Sequence, residues 1–166
     1  AKDNLVVIVP WKGVTVKADT PEEIVALYQC REVMEGLGAR LCARHATPEQ
    51  VAELKELCKE MHAIEDATAR VEVNSRFHSM IAQFSGNDRV VDYLADFRER
   101  VNRDMYLSSF NAVRTHDCDD EHDHIVDAIE RHDEVAAENA MRKHINNAFI
   151  FKRANAELQD KSLNEV

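Results

Sequence analysis

Two segments of the chain begin with the same helix-start signal, and this feature constrains the fold more than any other. Thr20-Pro21-Glu22-Glu23 and Thr47-Pro48-Glu49-Gln50 each offer an N-cap hydroxyl, a proline at the first helical position and acidic residues in the first turn. Helices are predicted at about 20–45, 48–66, 69–85, 88–108, 119–131 and 134–157, with a loop at 109–118. With only four glycines and three prolines, we expect an all-α fold, an antiparallel bundle of about six helices.

The first residues follow a different pattern. Leu5-Val6-Val7-Ile8-Val9 is rich in β-branched residues, Pro10-Trp11-Lys12-Gly13 has turn chemistry, and Val14-Thr15-Val16 alternates again. This sequence predicts a β-hairpin. Because a lone hairpin is not stable in water, it is expected to pack against another part of the protein. We therefore separate residues 1–18 from a helical domain at 19–160.

Charge excludes two classes of partner for this chain taken alone. The formal net charge is −10, whereas binding to phosphate backbones or to anionic membranes needs a basic surface. No apolar run is long enough to cross a bilayer. The four cysteines form no CxxC pair and are interpreted as reduced thiols, which predicts a cytoplasmic protein.

Helical phase separates the eight histidines. Three of them share a helix face with apolar residues: His78 with Ile81, His122 with Ile125 and Ile129, and His144 with Met141 and Ala148. Asn74 lies on the same face as His78. His124 instead falls on the polar face of its helix. Three histidines from three helices are thus predicted to point into the bundle, together with the amide of Asn74.

Two interpretations of these inward histidines stay open at this point. A helical bundle can bury unrelated histidines as hydrogen-bonded core residues. Imidazole is also a good ligand for divalent transition metals, and three such ligands leave coordination positions for water or a small molecule.

The motifs, taken in order, resemble a known family. Asn74-x-x-Phe77-His78, Ser85-Gly86-Asn87, Glu121-His122-x-x-Ile125-x-x-Ala128-Ile129 and Met141-Arg142-Lys143-His144-Ile145 are similar to those of the FCD domain. That domain is the C-terminal ligand-binding part of FadR-type regulators in the GntR family of bacterial transcription regulators. The resemblance covers about residues 20–150.

The resemblance also accounts for the predicted hairpin. Residues 5–16, with Pro10-Trp11-Lys12-Gly13-x-x-Val16, resemble the wing that ends the family's N-terminal winged helix-turn-helix. The chain is then expected to carry a wing remnant at 1–18 and an FCD-type ligand-binding and dimerisation domain at 19–160. Operator DNA would be bound through the N-terminal domain of the full-length protein, whose recognition helix is absent from this chain.

The resemblance further implies a metal site, an effector and a homodimer. Many FCD domains bind a divalent metal, here zinc or nickel, and the matching positions are Asn74, His78, His122 and His144. Asn74 stands where the family usually has aspartate, so it brings a ligand oxygen without a charge. Family effectors are commonly small carboxylates, and the candidate effector-binding residues are Arg31, Tyr28 and Arg98. Arg31 has an alternative as a surface residue paired with Glu35, four positions along the helix.

Rival functions have weaker support in the sequence. His116-Asp117, His122-Asp123 and His132-Asp133 are similar to the pairs of HD-type hydrolases, but they crowd into one short region. A ferritin-like di-iron site needs two ExxH motifs, and only Glu121-x-x-His124 is present. A structural helical dimerisation module without a ligand is the remaining alternative. The expected function is regulatory and not enzymatic.

Overall fold

The computed structural model describes residues 6–9, 13–16, 20–97 and 112–164. The predicted hairpin is confirmed: β1 spans Val6–Val9, β2 spans Gly13–Val16, and the two strands pair antiparallel. The remaining described elements are helices, which confirms the all-α prediction for the main body of the chain. Among the described helices, none combines the length and the apolar character needed to cross a lipid bilayer.

The first two helices start where the sequence signals predicted. Helix α1 spans Pro21–His45, and α2 spans Pro48–Ala63. The Thr20 hydroxyl accepts a hydrogen bond from the Glu23 backbone N–H at 3.2 Å, and the Glu23 carboxylate accepts one from the Thr20 N–H at 2.9 Å. Thr47 and Gln50 form the same reciprocal box at the start of α2. These boxes satisfy backbone donors that a helix start would otherwise leave unpaired.

The third and fourth helices are separated by a tight turn. Helix α3 spans Ala67–Phe84 and is capped by Asp66, whose carboxylate accepts from the Ala69 N–H at 2.8 Å. Gly86 has a φ of 66°, a conformation that few other residues adopt without cost. Asn87 then caps α4, which the structure describes at 88–97. The predicted continuation of this helix to residue 108 lies outside the described residues.

The last two helices are longer than predicted. Helix α5 spans Ala112–Glu130, and α6 spans Glu134–Asn164. The loop predicted at 109–118 is therefore wrong from residue 112 onward. Residues 116–118 are His, Asp and Cys and carry no apolar stripe, so periodicity could not reveal a helix there. Asp119 nonetheless faces inward, since its carboxylate is buried against Arg70.

The order of contacts along each helix pair shows an antiparallel arrangement. Helix α1 packs most extensively against α6, and Arg40 pairs with Glu138 while Arg44, one turn later, pairs with the earlier residue Glu134. Helix α2 runs antiparallel to α5 in the same way. Helices α2, α3, α5 and α6 meet in one core, whose largest fully buried apolar side chains are Phe77, Leu54, Met61, Ile81, Ile125, Ile129, Met141 and Ile145.

Candidate metal centre

Three histidines from three helices meet inside this core. His78 on α3, His122 on α5 and His144 on α6 are all buried, at 8%, 1% and 3% exposure. One ring nitrogen from each lies within 4.8 Å of the other two. His124 is exposed, as its helical phase predicted. On α5 and α6, each histidine lies on the same helix face as buried apolar residues, because residues three or four positions apart face the same way. Packing of that face in the core therefore holds the imidazoles in place.

Carboxylates contact the outer nitrogens of two of these rings. His78 Nδ1 is in ion-pair contact with Glu35 Oε2 from α1. His144 Nδ1 lies 2.8 Å from Glu121 Oε2. The other oxygen of Glu121 accepts a hydrogen bond from Asn147 Nδ2 at 2.7 Å. Both rings are therefore held from the side that faces away from the cluster.

These contacts decide which ring nitrogens carry protons. A carboxylate accepts hydrogen bonds, so Nδ1 of His78 and of His144 is the protonated atom when the rings are neutral. The two Nε2 atoms then present lone pairs, and they face each other at 3.3 Å. Such a pair repels unless it binds a proton or a cation. A shared proton would need only two rings, whereas a third histidine nearby fits a cation with several ligands.

The chemistry of the donors suits a divalent transition metal. Imidazole nitrogens bind zinc, nickel, copper and iron, and neutral Nε2 atoms backed by carboxylates at Nδ1 are typical metal ligands. Asn74 lies one helical turn before His78 and is half-buried, with its Oδ1 atom fully buried. Its assignment as a fourth ligand remains a proposal.

Sequence reasoning missed three residues at this centre. Glu35 had appeared only as a possible surface partner of Arg31, and Glu121 only within an ExxH motif and the family motif, with no role at the site. Cys118 lies one turn before His122, and its Sγ atom is 3.8 Å from His122 Nε2. The available signal was position: Glu121 precedes a buried histidine, and Cys118 shares its helical face.

The predicted effector-binding residues have different outcomes. Tyr28 and Arg31 are both buried, and the Arg31 guanidinium lies 5.0 Å from the centre of the Tyr28 ring. Arg31 Nε donates to Glu35 Oε1 at 2.8 Å. The pairing with Glu35 is thus present, but it is buried, so the surface-residue interpretation of Arg31 is wrong. Arg98 lies outside the described residues.

The Glu35 carboxylate is ionised in spite of its burial. Desolvation by itself raises the pKa of a buried carboxyl group. Attraction from His78 and Arg31 outweighs that effect and holds the pKa of Glu35 below its ordinary value. A buried negative charge therefore lies between the α1 arginine and the histidine cluster.

A surface groove of about 450 Å³ adjoins the centre from the α5–α6 side. Glu121 and Asn147 line this groove and also form the hydrogen-bonded chain to His144. Lys143 adds a positive charge to the wall. Glu121 therefore contacts the buried His144 ring and also lines the groove.

The FCD domain family model matches residues 26–147, which is most of the chain. The chain belongs to the FCD domain family. Among curated relatives, the HTH-type transcriptional repressor NanR of Escherichia coli strain K12 is 31% identical over 134 residues, covering 76% of this chain and 49% of NanR. This FCD chain thus spans about half the length of the curated relatives it matches.

Solved structures show the same fold. E. coli McbR/YncC superposes on this FCD domain with a TM-score of 0.81 at 15% identity, covering 93% of this chain and 79% of that one. The metal-free FCD domain of the transcriptional regulator TM0439 gives a TM-score of 0.65 at 20% identity, covering 84% and 98%. At these identities the likeness concerns the fold alone.

The enzymatic alternatives do not fit this FCD domain. NanR, which shows the family relationship, is a transcriptional repressor and not an enzyme. His132 is exposed in the turn between α5 and α6, while His122 is buried in the core, so these two HD pairs do not form one site. His124 of the ExxH motif faces away from the cluster.

Proposed function

We propose that this FCD domain is the effector-sensing part of a FadR-type GntR regulator and that it binds a small carboxylate at a metal-containing pocket. The observation that carries the proposal is the convergence of His78, His122 and His144 within 4.8 Å in the core. Asn74 is proposed as a fourth, uncharged ligand. Zinc or nickel is the metal we expect, because imidazole-rich sites suit both ions.

A bound divalent ion would supply a Lewis-acidic centre with open coordination positions for a carboxylate. The chain's own residues would orient and recognise that ligand. Arg31 is buried, points its Nε–H to Glu35 and is stacked near Tyr28. A carboxylate effector that reached Arg31 would have to share the guanidinium with Glu35, so its arrival would perturb α1.

Helix α1 is the element through which we propose that the signal travels. It carries Arg31 and Glu35, and it packs along α6, which carries His144. An effector acts only through different affinities for two arrangements of the protein. We propose that the two arrangements differ in how α1 lies on α6.

The remaining assignments follow from family membership and are likewise proposals. The hairpin β1–β2 is proposed to be the wing of a winged helix-turn-helix that binds operator DNA in the full-length protein. The division into residues 1–18 and 19–160, a homodimer built through helical faces, and a cytoplasmic location belong to the same proposal.

The test is a zinc titration followed by a carboxylate titration, both by calorimetry on chelator-treated protein. We expect zinc to bind one site per chain, and lactate to bind more tightly when zinc is present. Methyl lactate, which lacks the charge, is the matched control and should show no such gain. Absence of zinc binding would favour a structural helical module. Equal binding of lactate and its ester would contradict a carboxylate effector.

A further inference from the structure

The ligand set of the proposed centre contains no anion. Three imidazoles and the Asn74 amide are all neutral donors, whereas a divalent ion brings two positive charges into a buried site. Burying such a charge without a compensating anion is costly. The Asn74 amide offers an oxygen to this set but no negative charge.

The structure places two carboxylates one shell further out. Glu35 is 5% exposed and in contact with His78 Nδ1, and its other oxygen accepts from Arg31. Glu121 is half-buried, and both of its oxygens are engaged, one by His144 Nδ1 and one by Asn147. The two carboxylates come from different helices, α1 and α5, and each acts on a different histidine.

We infer that Glu35 and Glu121 are positioning residues of the metal centre, which hold the Nδ1–H tautomers of His78 and His144 and supply the negative charge that Asn74 lacks. This inference rests on the metal site of the proposed function. A carboxylate at Nδ1 turns the Nε2 lone pair toward the ion and makes it a stronger donor. The two Nε2 atoms lie 3.3 Å apart, and the carboxylates contact the other nitrogen of each ring.

The first test measures zinc affinity by competition with a chromophoric chelator. Glu35→Gln and Glu121→Gln keep the shape of each side chain and remove its charge. Matched controls are Glu32→Gln on α1 and Asp120→Asn on α5, whose parent side chains lie outside the cluster. We expect each test variant to bind zinc roughly 10- to 100-fold more weakly, the range known for outer-shell partners. The controls should match the wild type.

The second test reads the tautomers by long-range 15N–1H NMR on metal-free protein. The wild type should show His78 and His144 protonated at Nδ1. Glu35→Gln should alter only the His78 pattern, and Glu121→Gln only that of His144. Because Glu35 also pairs with Arg31, its variant can lose stability, so each variant's thermal unfolding is recorded. Glu121 provides the same test at a half-buried position.

The outcomes separate this inference from the proposed function. A wild type that takes up no zinc contradicts the metal centre and everything built on it. Zinc uptake by the wild type with unchanged affinity in Glu35→Gln and Glu121→Gln contradicts only the role given to the carboxylates. Absence of the Nδ1 proton from His78 and from His144 in the wild type contradicts it as well.

Discussion

Nε2 of His78 and Nε2 of His144 lie 3.3 Å apart, although the two residues are separated by 66 positions in the chain. Helices α3 and α6 bring them together, and Glu35 and Glu121 hold them from behind. We propose that the pair prepares the centre for a cation before one binds. Preorganised ligands lose less conformational entropy on binding, which favours affinity.

The substitution Asn74→Asp tests which groups compensate the positive charge of a metal ion bound at the proposed centre. Asn74→Asp would add an anion directly at the metal, so we expect zinc to bind more tightly than in the wild type when no carboxylate is present. The increase in zinc affinity that lactate produces should be smaller in the same variant. Calorimetric titrations of zinc, with and without saturating lactate, measure both quantities; each tenfold change corresponds to about 1.4 kcal/mol.

The control for that experiment is Asn146→Asp, which adds the same charge at an exposed position of α6. It should not reproduce the tightening. Unchanged zinc affinity in Asn74→Asp would show that Asn74 is not a ligand and is a polar residue at the edge of the core.

Two glycines of α1 should differ in how their replacement by alanine changes stability. A Cβ on Gly38 would lie 3.4 Å from Val90 Cγ1, an ordinary contact, whereas a Cβ on Gly36 would lie 2.8 Å from Arg142 Cγ. Alanine is favoured over glycine inside a helix by about 0.5–1 kcal/mol. We expect Gly38→Ala to raise the free energy of unfolding by about that amount. Gly36→Ala should gain less or lose stability, because Arg142 must move away from its partners Glu32 and Glu138. Urea unfolding compares the two, and equal gains would contradict close packing of α1 on α6.

Much of the fold could be predicted because its signals are local. The capping boxes at Thr20 and Thr47, the stop at Gly86 and the inward phase of His122 each depend on residues within one or two turns. Glu35 could not be predicted in the same way. Its partner His78 is far along the chain, and burial of a carboxylate is only stable once Arg31 and His78 surround it.

The missed start of α5 has a related cause. Residues that face the core of a bundle are usually apolar, and hydrophobic periodicity predicts a helix only where such apolar residues recur. At Asp119 the inward residue is charged and is stabilised by Arg70 from α3, a contact that the sequence does not reveal. The burial of the three histidines could be predicted because each shares a helix face with apolar residues. The positions of Glu35 and Glu121 could not be predicted in that way.

The buried pair Arg70–Asp119 should be important for stability. Arg70 donates to Asp119 and also to the backbone carbonyls of Met61 and Ile64 at the end of α2. Removing one member of a buried ion pair leaves the other charge uncompensated and costs about 3–5 kcal/mol. We expect a loss of this size for Arg70→Met in urea unfolding. The double variant Arg70→Met with Asp119→Leu should recover part of it. A loss below about 1 kcal/mol would place the pair among exposed, weak ion pairs.

The cysteines should differ in reactivity within the folded protein. Burial raises the pKa of Cys42 to about 12. Burial, with the Asp123 carboxylate nearby, raises the pKa of Cys58 to about 12 as well. At pH 8 both thiols are therefore protonated and poor nucleophiles, while Cys30 is exposed. Iodoacetamide at pH 8 should label Cys30 well before Cys42 or Cys58, as read by mass spectrometry. Guanidinium should abolish the difference, and Cys42 labelling as fast as Cys30 in the native state would contradict the packing of α1.

The most direct test is the zinc content and zinc affinity of single histidine variants purified without chelator. His78→Ala, His122→Ala and His144→Ala should each lower both quantities sharply, since each removes one of three converging ligands. His124→Ala is the matched control, because His124 lies on the same helix as His122 but is exposed, and it should retain the zinc of the wild type. Loss of zinc in His124→Ala equal to that in His122→Ala, or full zinc content in all three core variants, would contradict the proposed centre.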